Sequence, residues 1–176
     1  MSRTIVVLDG DQTGQELLEE SLRVLQPDVI RYPLEFLRFD LSLANRRATK
    51  NQVVYEAGRA IRQYRVGLKA ATITPEKAGD VGSPNAILRD VMDAEIILRT
   101  GRRIPGVRPV GGIYAPISIV RMARDDAYGA REWREGEPGS LGEYAFRTEK
   151  ISRWVCRAVA EFAFQHAKQN GAKVFG

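Results

Sequence analysis

Strand-like and helix-like segments alternate along the first hundred residues, and this alternation limits the fold more than any other feature. Thr4–Leu8 is a β-branched apolar run typical of a buried strand. A helical pattern follows the turn, and its apolar positions are Leu17, Leu18, Leu22 and Leu25. Further strands are predicted over 34–39 and 66–70, with a helix over 51–64 between them. Alternation of this kind predicts a layered α/β sheet.

The connections carry weaker signals. Gly10 and Gly14 lie in the turn before the first helix. Such a turn can approach a phosphate, but the spacing is not that of a dinucleotide fingerprint, so a tight turn is the favoured interpretation. The polar segment 45–50 predicts a link between elements.

The second half continues with apolar runs at 95–100 and 117–122, separated by a loop with several Gly and Pro residues. The clearest helical pattern covers 149–170 and ends at Gly171. It includes the single cysteine, which is therefore expected to be a small buried residue. An apolar run at 172–175 predicts the start of another strand.

Composition excludes several classes of protein. A hydrophobic fraction of 44% over 176 residues is enough for a core. No apolar run is long enough for a membrane span and no leader is evident, so the expected location is the cytoplasm. The net charge of +5 comes from scattered basic residues without interleaved aromatics, so no nucleic-acid partner is expected. One His and one Cys cannot form a metal site of those residue types.

The segment 82–128 contains a candidate anion site. The planar donor fork of arginine fits a carboxylate bidentately, so several arginines beside Ser and Asn form a cradle for a polycarboxylate. Because most arginines in proteins are exposed, each of them taken singly is expected to be an ordinary surface charge. The serine and asparagine precede a helix, where they can cap it, contact a ligand, or do both. The candidate substrate-binding residues are Ser83, Asn85, Arg89, Arg99 and Arg121.

The spacing of these residues resembles the isocitrate/3-isopropylmalate dehydrogenase family of β-decarboxylating dehydrogenases. Arg89 lies ten residues before Arg99, and Arg121 lies seven before Tyr128. Two further motifs resemble the family. Its GDGIGPE-like turn is matched at Gly10, Asp11, Gly14 and Glu16 but not at the three other positions, and the segment 72–75, with sequence TITP, resembles its TTTP-like loop.

The resemblance implies roles for these positions. The three arginines hold substrate carboxylates, and Tyr128 acts as a catalytic acid. Thr72 and Thr74 lie on the side of the nicotinamide. Ser83 and Asn85 are the residue types of family members that recognise isocitrate, so a tricarboxylic substrate is expected.

The resemblance covers the N-terminal half of a typical member. It implies an incomplete sheet, with residues 1–100 in the large α/β domain and 101–176 beginning a smaller dimerisation domain. The segment 139–148 resembles a protruding arm that pairs with the same arm of a second subunit, so a homodimer is expected. NAD or NADP and Mg²⁺ or Mn²⁺ are the implied cofactors, with the metal ligands and a catalytic lysine in the other half.

Two functions are compatible with this pattern. In the first, the chain is a truncated or split part of an enzyme that oxidises and decarboxylates an isocitrate-like 2-hydroxy acid. It would be inactive without the complementing C-terminal half. In the second, it is a non-catalytic di- or tricarboxylate-binding or regulatory module.

Overall fold

The structure is a computed structural model that describes residues 2–77 and 79–176, apart from the side chains of 126–129. Its contacts divide the chain into two compact units, Met1–Asp93 and Ala94–Gly176. The first unit contains a three-stranded sheet, and the second contains two pairs of strands. The α/β class expected from the sequence is confirmed.

A parallel sheet forms the centre of the first unit. Its strands are β1 (Arg3–Asp9), β2 (Leu34–Asp40) and β3 (Gly67–Lys69), and their order is β2-β1-β3. In the central strand β1, Val7 is fully buried and Leu8 is nearly so. A central parallel strand is covered on both faces, which explains why its sequence is continuously apolar. The predicted strands are confirmed, although β3 is shorter than the apolar run 66–70.

Helices lie on both faces of this sheet. Successive side chains of β1 point to opposite faces, and because these side chains are apolar, both faces must be covered. On one face Val6 and Leu8 pack with a cluster that includes Val54 and Leu88, and on the other Val7 packs with Leu18. The helices are α1 (Gln12–Val24), α2 (Pro27–Ile30), α3 (Leu43–Ala48), α4 (Gln52–Tyr64) and α5 (Pro84–Val91).

The second unit contains two antiparallel pairs, β4 with β5 and β6 with β7, and one long helix that contacts β5. Its elements are β4 (Ile96–Gly101), β5 (Ile117–Met122), β6 (Asp126–Glu135), β7 (Tyr144–Lys150) and α6 (Arg153–Asn170). As predicted, α6 ends at Gly171, which has a φ of 60°. Strand β4 crosses the domain boundary expected at residue 100 and lies wholly in this unit.

The proposed arm, residues 139–148, corresponds to the turn and most of the second strand of the β6–β7 hairpin. Trp133 stacks on Phe146 across the two strands, with ring centroids 5.0 Å apart. Every residue of β7 is exposed within this chain. Pairing of this hairpin with a second subunit stays a prediction.

Three local expectations are wrong. The polar link 45–50 is largely helical, because Ser42 caps α3 and accepts a hydrogen bond from the Asn45 N–H. Cys156 is exposed, since the buried stripe of α6 runs through its neighbour Val155. Residues 172–175 form no strand.

Among the described residues, no helix has the length and apolar character needed to cross a lipid bilayer.

Candidate functional site

Polar residues gather where the three parallel strands of the first unit end. The carboxyl edge of an open α/β sheet is the usual place for ligands. Backbone hydrogen bonds draw the loops after the strands together here. The N–H of Leu41 donates to the Asp9 carbonyl and the N–H of Asp11 donates to the Ala71 carbonyl, both at 3.0 Å.

Gly10 and Gly14 in the first turn allow it to lie close to the segment after β3. A Cβ at Gly10 would lie 2.0 Å from the Ala71 carbonyl oxygen, and one at Gly14 would lie 2.7 Å from the same atom. Real Cβ atoms do not come this close to a backbone oxygen. Both glycines therefore face the neighbouring chain segment, which supports the tight-turn interpretation over a phosphate loop.

The loop that carries Thr72 and Thr74 is anchored by Asp11. One carboxylate oxygen of Asp11 accepts the N–H of Ile73 at 2.8 Å, and the other accepts the N–H of Leu43 at 2.9 Å. Thr72 is half-buried and Thr74 is exposed. Asp11 thus joins the loop after β2 to the loop after β3 and holds the two threonines at the edge of the sheet.

Arg46 completes this anchor, and the sequence interpretation missed it. Its side chain is fully buried. Its Nε donates to the Leu41 carbonyl at 2.9 Å, one terminal nitrogen donates to the Gly82 carbonyl at 2.9 Å, and the other donates to the Ile73 carbonyl. Burial lowers the pKa of Arg46, and the carboxylate of Asp11 opposes that shift.

Lys69 is the second missed residue. Its ammonium donates to the Thr72 hydroxyl at 3.0 Å and to the Ala70 carbonyl at 2.8 Å. Burial, with a smaller contribution from nearby Arg46, lowers its pKa to about 8, and Asp11 opposes this shift. The sequence feature that could have identified Lys69 is a lysine within an apolar strand, just before a loop with two threonines. The result is a cation at the edge of the sheet beside Thr72.

Lys69 should make stability depend on pH in the alkaline range. Its folded pKa is about 8, below the ordinary lysine value of 10.5, so the folded state releases this proton at a lower pH than the unfolded chain does. Stability should therefore rise between pH 8 and 10.5, because the unfolded chain binds more protons there. Below pH 8 the full cost of burying the charge is present.

Urea unfolding of the wild type and Lys69→Met at several pH values checks this expectation. The difference in unfolding free energy should change across this window and be constant below it. A constant difference throughout would contradict the burial of Lys69 as a charged group.

Ser83, Asn85 and Arg89 lie along the short helix α5, with Arg89 in its last turn. Ser83 is the N-cap, and its hydroxyl accepts the N–H of Asn85 at 3.4 Å. Asn85 and Arg89 are four residues apart, so they share one face of the helix, and both are half-buried. Capping by Ser83 is confirmed, whereas contact with a ligand stays a prediction.

Arg99 and Arg121 share one face of the β4–β5 pair. Arg121 lies opposite Ile97, so it is the diagonal neighbour of Arg99, at a typical separation of roughly 7–8 Å. The other face carries Ser118, whose hydroxyl lies 3.0 Å from Nε2 of His166 on α6. Helix α6 therefore covers the opposite face, and both arginines are exposed within this unit.

The predicted site residues thus fall into separate groups. Thr72, Thr74 and the α5 residues belong to the first unit, and Arg99 and Arg121 belong to the second. Their union in one carboxylate cradle stays a prediction. Tyr128 lies in β6, but its side chain is outside the described part of the structure. Among the side chains that are described, no three His, Cys, Asp or Glu residues lie together as a metal site would require.

Comparison with known proteins identifies relatives. The sequence profile of the isocitrate/isopropylmalate dehydrogenase family matches residues 4–175. Three NADP isocitrate dehydrogenases are similar to the chain. The mitochondrial enzyme of Candida tropicalis is 33% identical over 78% of this chain, and that of Saccharomyces cerevisiae is 31% identical over 80%. Isocitrate dehydrogenase [NADP] 1 of Mycobacterium bovis is 33% identical over 80%. The matches cover 33%, 34% and 36% of these relatives, so the chain spans about a third of their length.

Proposed function

The chain belongs to the isocitrate/isopropylmalate dehydrogenase family, and from this premise we propose that it binds an isocitrate-like tricarboxylate as part of a decarboxylating dehydrogenase. Ser83 caps α5, Asn85 lies in its first turn and Arg89 lies in its last turn, and this placement along one short helix carries the proposal. A hydroxyl, an amide and a guanidinium there offer different kinds of donor to one polar ligand.

Capping leaves Ser83 able to act on a substrate. Its oxygen accepts the Asn85 N–H, but the proton of its own hydroxyl remains available to donate to a carboxylate or hydroxyl. Asn85 brings two amide protons to the same end of the helix, and Arg89 brings a fork that fits a carboxylate. Capping and substrate contact are therefore compatible functions of one residue.

Arg99 and Arg121 supply the further carboxylate-binding forks of the proposed site. Two arginines on one face of a strand pair favour a ligand with more than one carboxylate, because each planar donor fork fits one carboxylate. A tricarboxylate meets this requirement better than a monocarboxylate. Tyr128 is proposed as the proton donor, because its spacing from Arg121 resembles that of the catalytic acid in the family.

The proposed cofactor is NADP or NAD, near Thr72 and Thr74. The three relatives named above are NADP enzymes, which favours NADP. The threonine hydroxyls and Lys69 are polar donors at the edge where cofactors bind in α/β folds. The described residues do not provide a carboxylate set that fits Mg²⁺ or Mn²⁺, so no step is assigned to a metal ion.

The whole reaction is proposed for an assembly. Because the chain spans about a third of its relatives, oxidation and decarboxylation are proposed for a homodimer or for the chain with a complementing C-terminal half. The exposed β6–β7 hairpin is proposed as the arm that pairs the subunits. The relatives named here are all enzymes, so no observation favours the regulatory-module alternative.

Calorimetric titration of the purified chain with isocitrate, with and without Mg²⁺, tests the binding proposal. Loss of a charged hydrogen bond costs about 1.5–3 kcal/mol, so Arg89→Met should weaken binding by roughly 10- to 100-fold. Arg23→Met is the matched control, because Arg23 pairs with Glu20 on the exposed side of α1. Absence of isocitrate binding by the folded wild-type chain would refute the proposal for this chain, as would equal affinity of wild type and Arg89→Met.

A further inference from the structure

Both polar groups of the Ile73 backbone are hydrogen-bonded to charged side chains. Its N–H donates to Asp11 at 2.8 Å, and its carbonyl accepts a terminal nitrogen of Arg46. Ile73 lies between Thr72 and Thr74, and its own side chain is 36% exposed. Hydrogen bonds to charged groups are stronger than neutral ones. The loop is therefore held through its backbone by charged side chains, while the packing of Ile73 itself is incomplete.

The same guanidinium also holds the start of α5. Its other terminal nitrogen donates to the carbonyl of Gly82, directly before the cap Ser83, at 2.9 Å. Its Nε donates to the carbonyl of Leu41, directly after β2. Because a guanidinium is planar and rigid, the three carbonyls are held in a fixed mutual arrangement. One side chain thus links the loop after β2, the threonine loop and the first turn of α5.

Burial of a full charge is a costly way to gain stability, since apolar side chains of similar volume often serve as well. The guanidinium differs from them in reaching three acceptors in different directions at once. We propose that Arg46 is a positioning residue that fixes the spacing between the loop bearing Thr72 and Thr74 and the helix start bearing Ser83 and Asn85. The functional meaning of that spacing rests on the proposed function, in which these segments carry the cofactor side and the substrate side.

Amide hydrogen exchange by NMR tests this role in Arg46→Lys. A lysine keeps the charge, but its donors leave from one atom, so it cannot span three separated carbonyls. The amides of Ile73 and Asn85 should exchange about tenfold faster or more, which corresponds to about 1.4 kcal/mol. The core amides of Val6 and Ala70, which donate to the carbonyls of Val66 and Leu8, should exchange as in the wild type.

The control is Arg47→Lys, because Arg47 is the neighbouring arginine but its side chain is 53% exposed and pairs with Asp80 instead of the three carbonyls. It should leave all four amides unchanged. Equal acceleration of the four amides in Arg46→Lys would show a purely stabilising role, and unchanged exchange would show no role. Either result overturns the proposal.

The wild type offers an independent measurement if Arg46→Lys does not fold. In low concentrations of urea, the Ile73 and Asn85 amides should share one opening free energy and one urea dependence, because the same guanidinium holds both segments. Different dependences would overturn the proposal.

Isocitrate titration of the same samples separates this inference from the proposed function. Binding by the wild type that weakens about tenfold in Arg46→Lys, and not in Arg47→Lys, supports both. Selective exchange without any isocitrate binding supports the positioning role of Arg46 and refutes only the proposed ligand.

Discussion

Replacing Gly10 by alanine should destabilise the first unit by about 3 kcal/mol or more, at the upper end of the cost of overpacking. The added Cβ would lie 2.0 Å from the Ala71 carbonyl oxygen and 2.7 Å from the Ala70 Cβ. The opposing oxygen belongs to a backbone that already accepts the Asp11 N–H, so it cannot move aside like a flexible side chain. Relief of the clash requires the turn and the threonine loop to separate.

Urea unfolding followed by circular dichroism measures this effect. Gly111→Ala is the matched control, since a Cβ at Gly111 would meet nothing within 4 Å and its φ is not positive. The control should change the unfolding free energy by less than about 0.5 kcal/mol. A Gly10→Ala protein as stable as the control would mean that the turn and the loop do not approach each other as described.

Arg46→Met should also be severe, with an expected loss of about 3–5 kcal/mol of unfolding free energy. Methionine fills part of the volume but donates no hydrogen bond. The carbonyls of Leu41, Ile73 and Gly82 would lose a partner, and Asp11 would lose its nearby positive charge. An unpaired buried polar group costs about 1–3 kcal/mol, so even partial hydration of the three carbonyls leaves a large deficit.

The comparison is with Arg47→Met, one residue further along α3. The side chain of Arg47 is 53% exposed and that of Asp80 is 12% exposed, so water screens the ion pair from the arginine side and its contribution should be about 1 kcal/mol. Two neighbouring arginines should thus differ several-fold in their contribution to stability. Equal unfolding midpoints for the two variants would contradict the burial and the three-way hydrogen bonding of Arg46.

Local pattern was a good guide to the elements. The apolar run at 117–122 predicted β5 with its observed bounds, and the run at Thr4–Leu8 predicted β1 to within one residue at each end. Ser83 was recognised as a possible cap, and it caps α5. These features depend on neighbours within a few residues, which the sequence displays directly. The spacing of the arginines also identified the family, which the comparisons confirm.

Burial of polar residues was not predictable in the same way. Arg46 and Arg47 are adjacent and chemically identical, yet one is fully buried and the other is exposed. Two of the three acceptors of Arg46 are the carbonyls of Ile73 and Gly82, which lie 27 and 36 residues away in sequence. Lys69 was taken as part of a strand, and only the position of the Thr72 hydroxyl shows that its ammonium is held at the sheet edge.

By itself the sequence determined the strands and helices of the α/β pattern, the family, and the residue types available to bind carboxylates. Only the tertiary structure decided that Asp11 and Arg46 hold the threonine loop, that Gly10 lies against Ala71, and that Arg99 and Arg121 lie on the face away from α6. The physical reason is that secondary structure follows from side-chain periodicity over a few residues. Burial of a charge depends on acceptors that the folded backbone brings from distant parts of the chain.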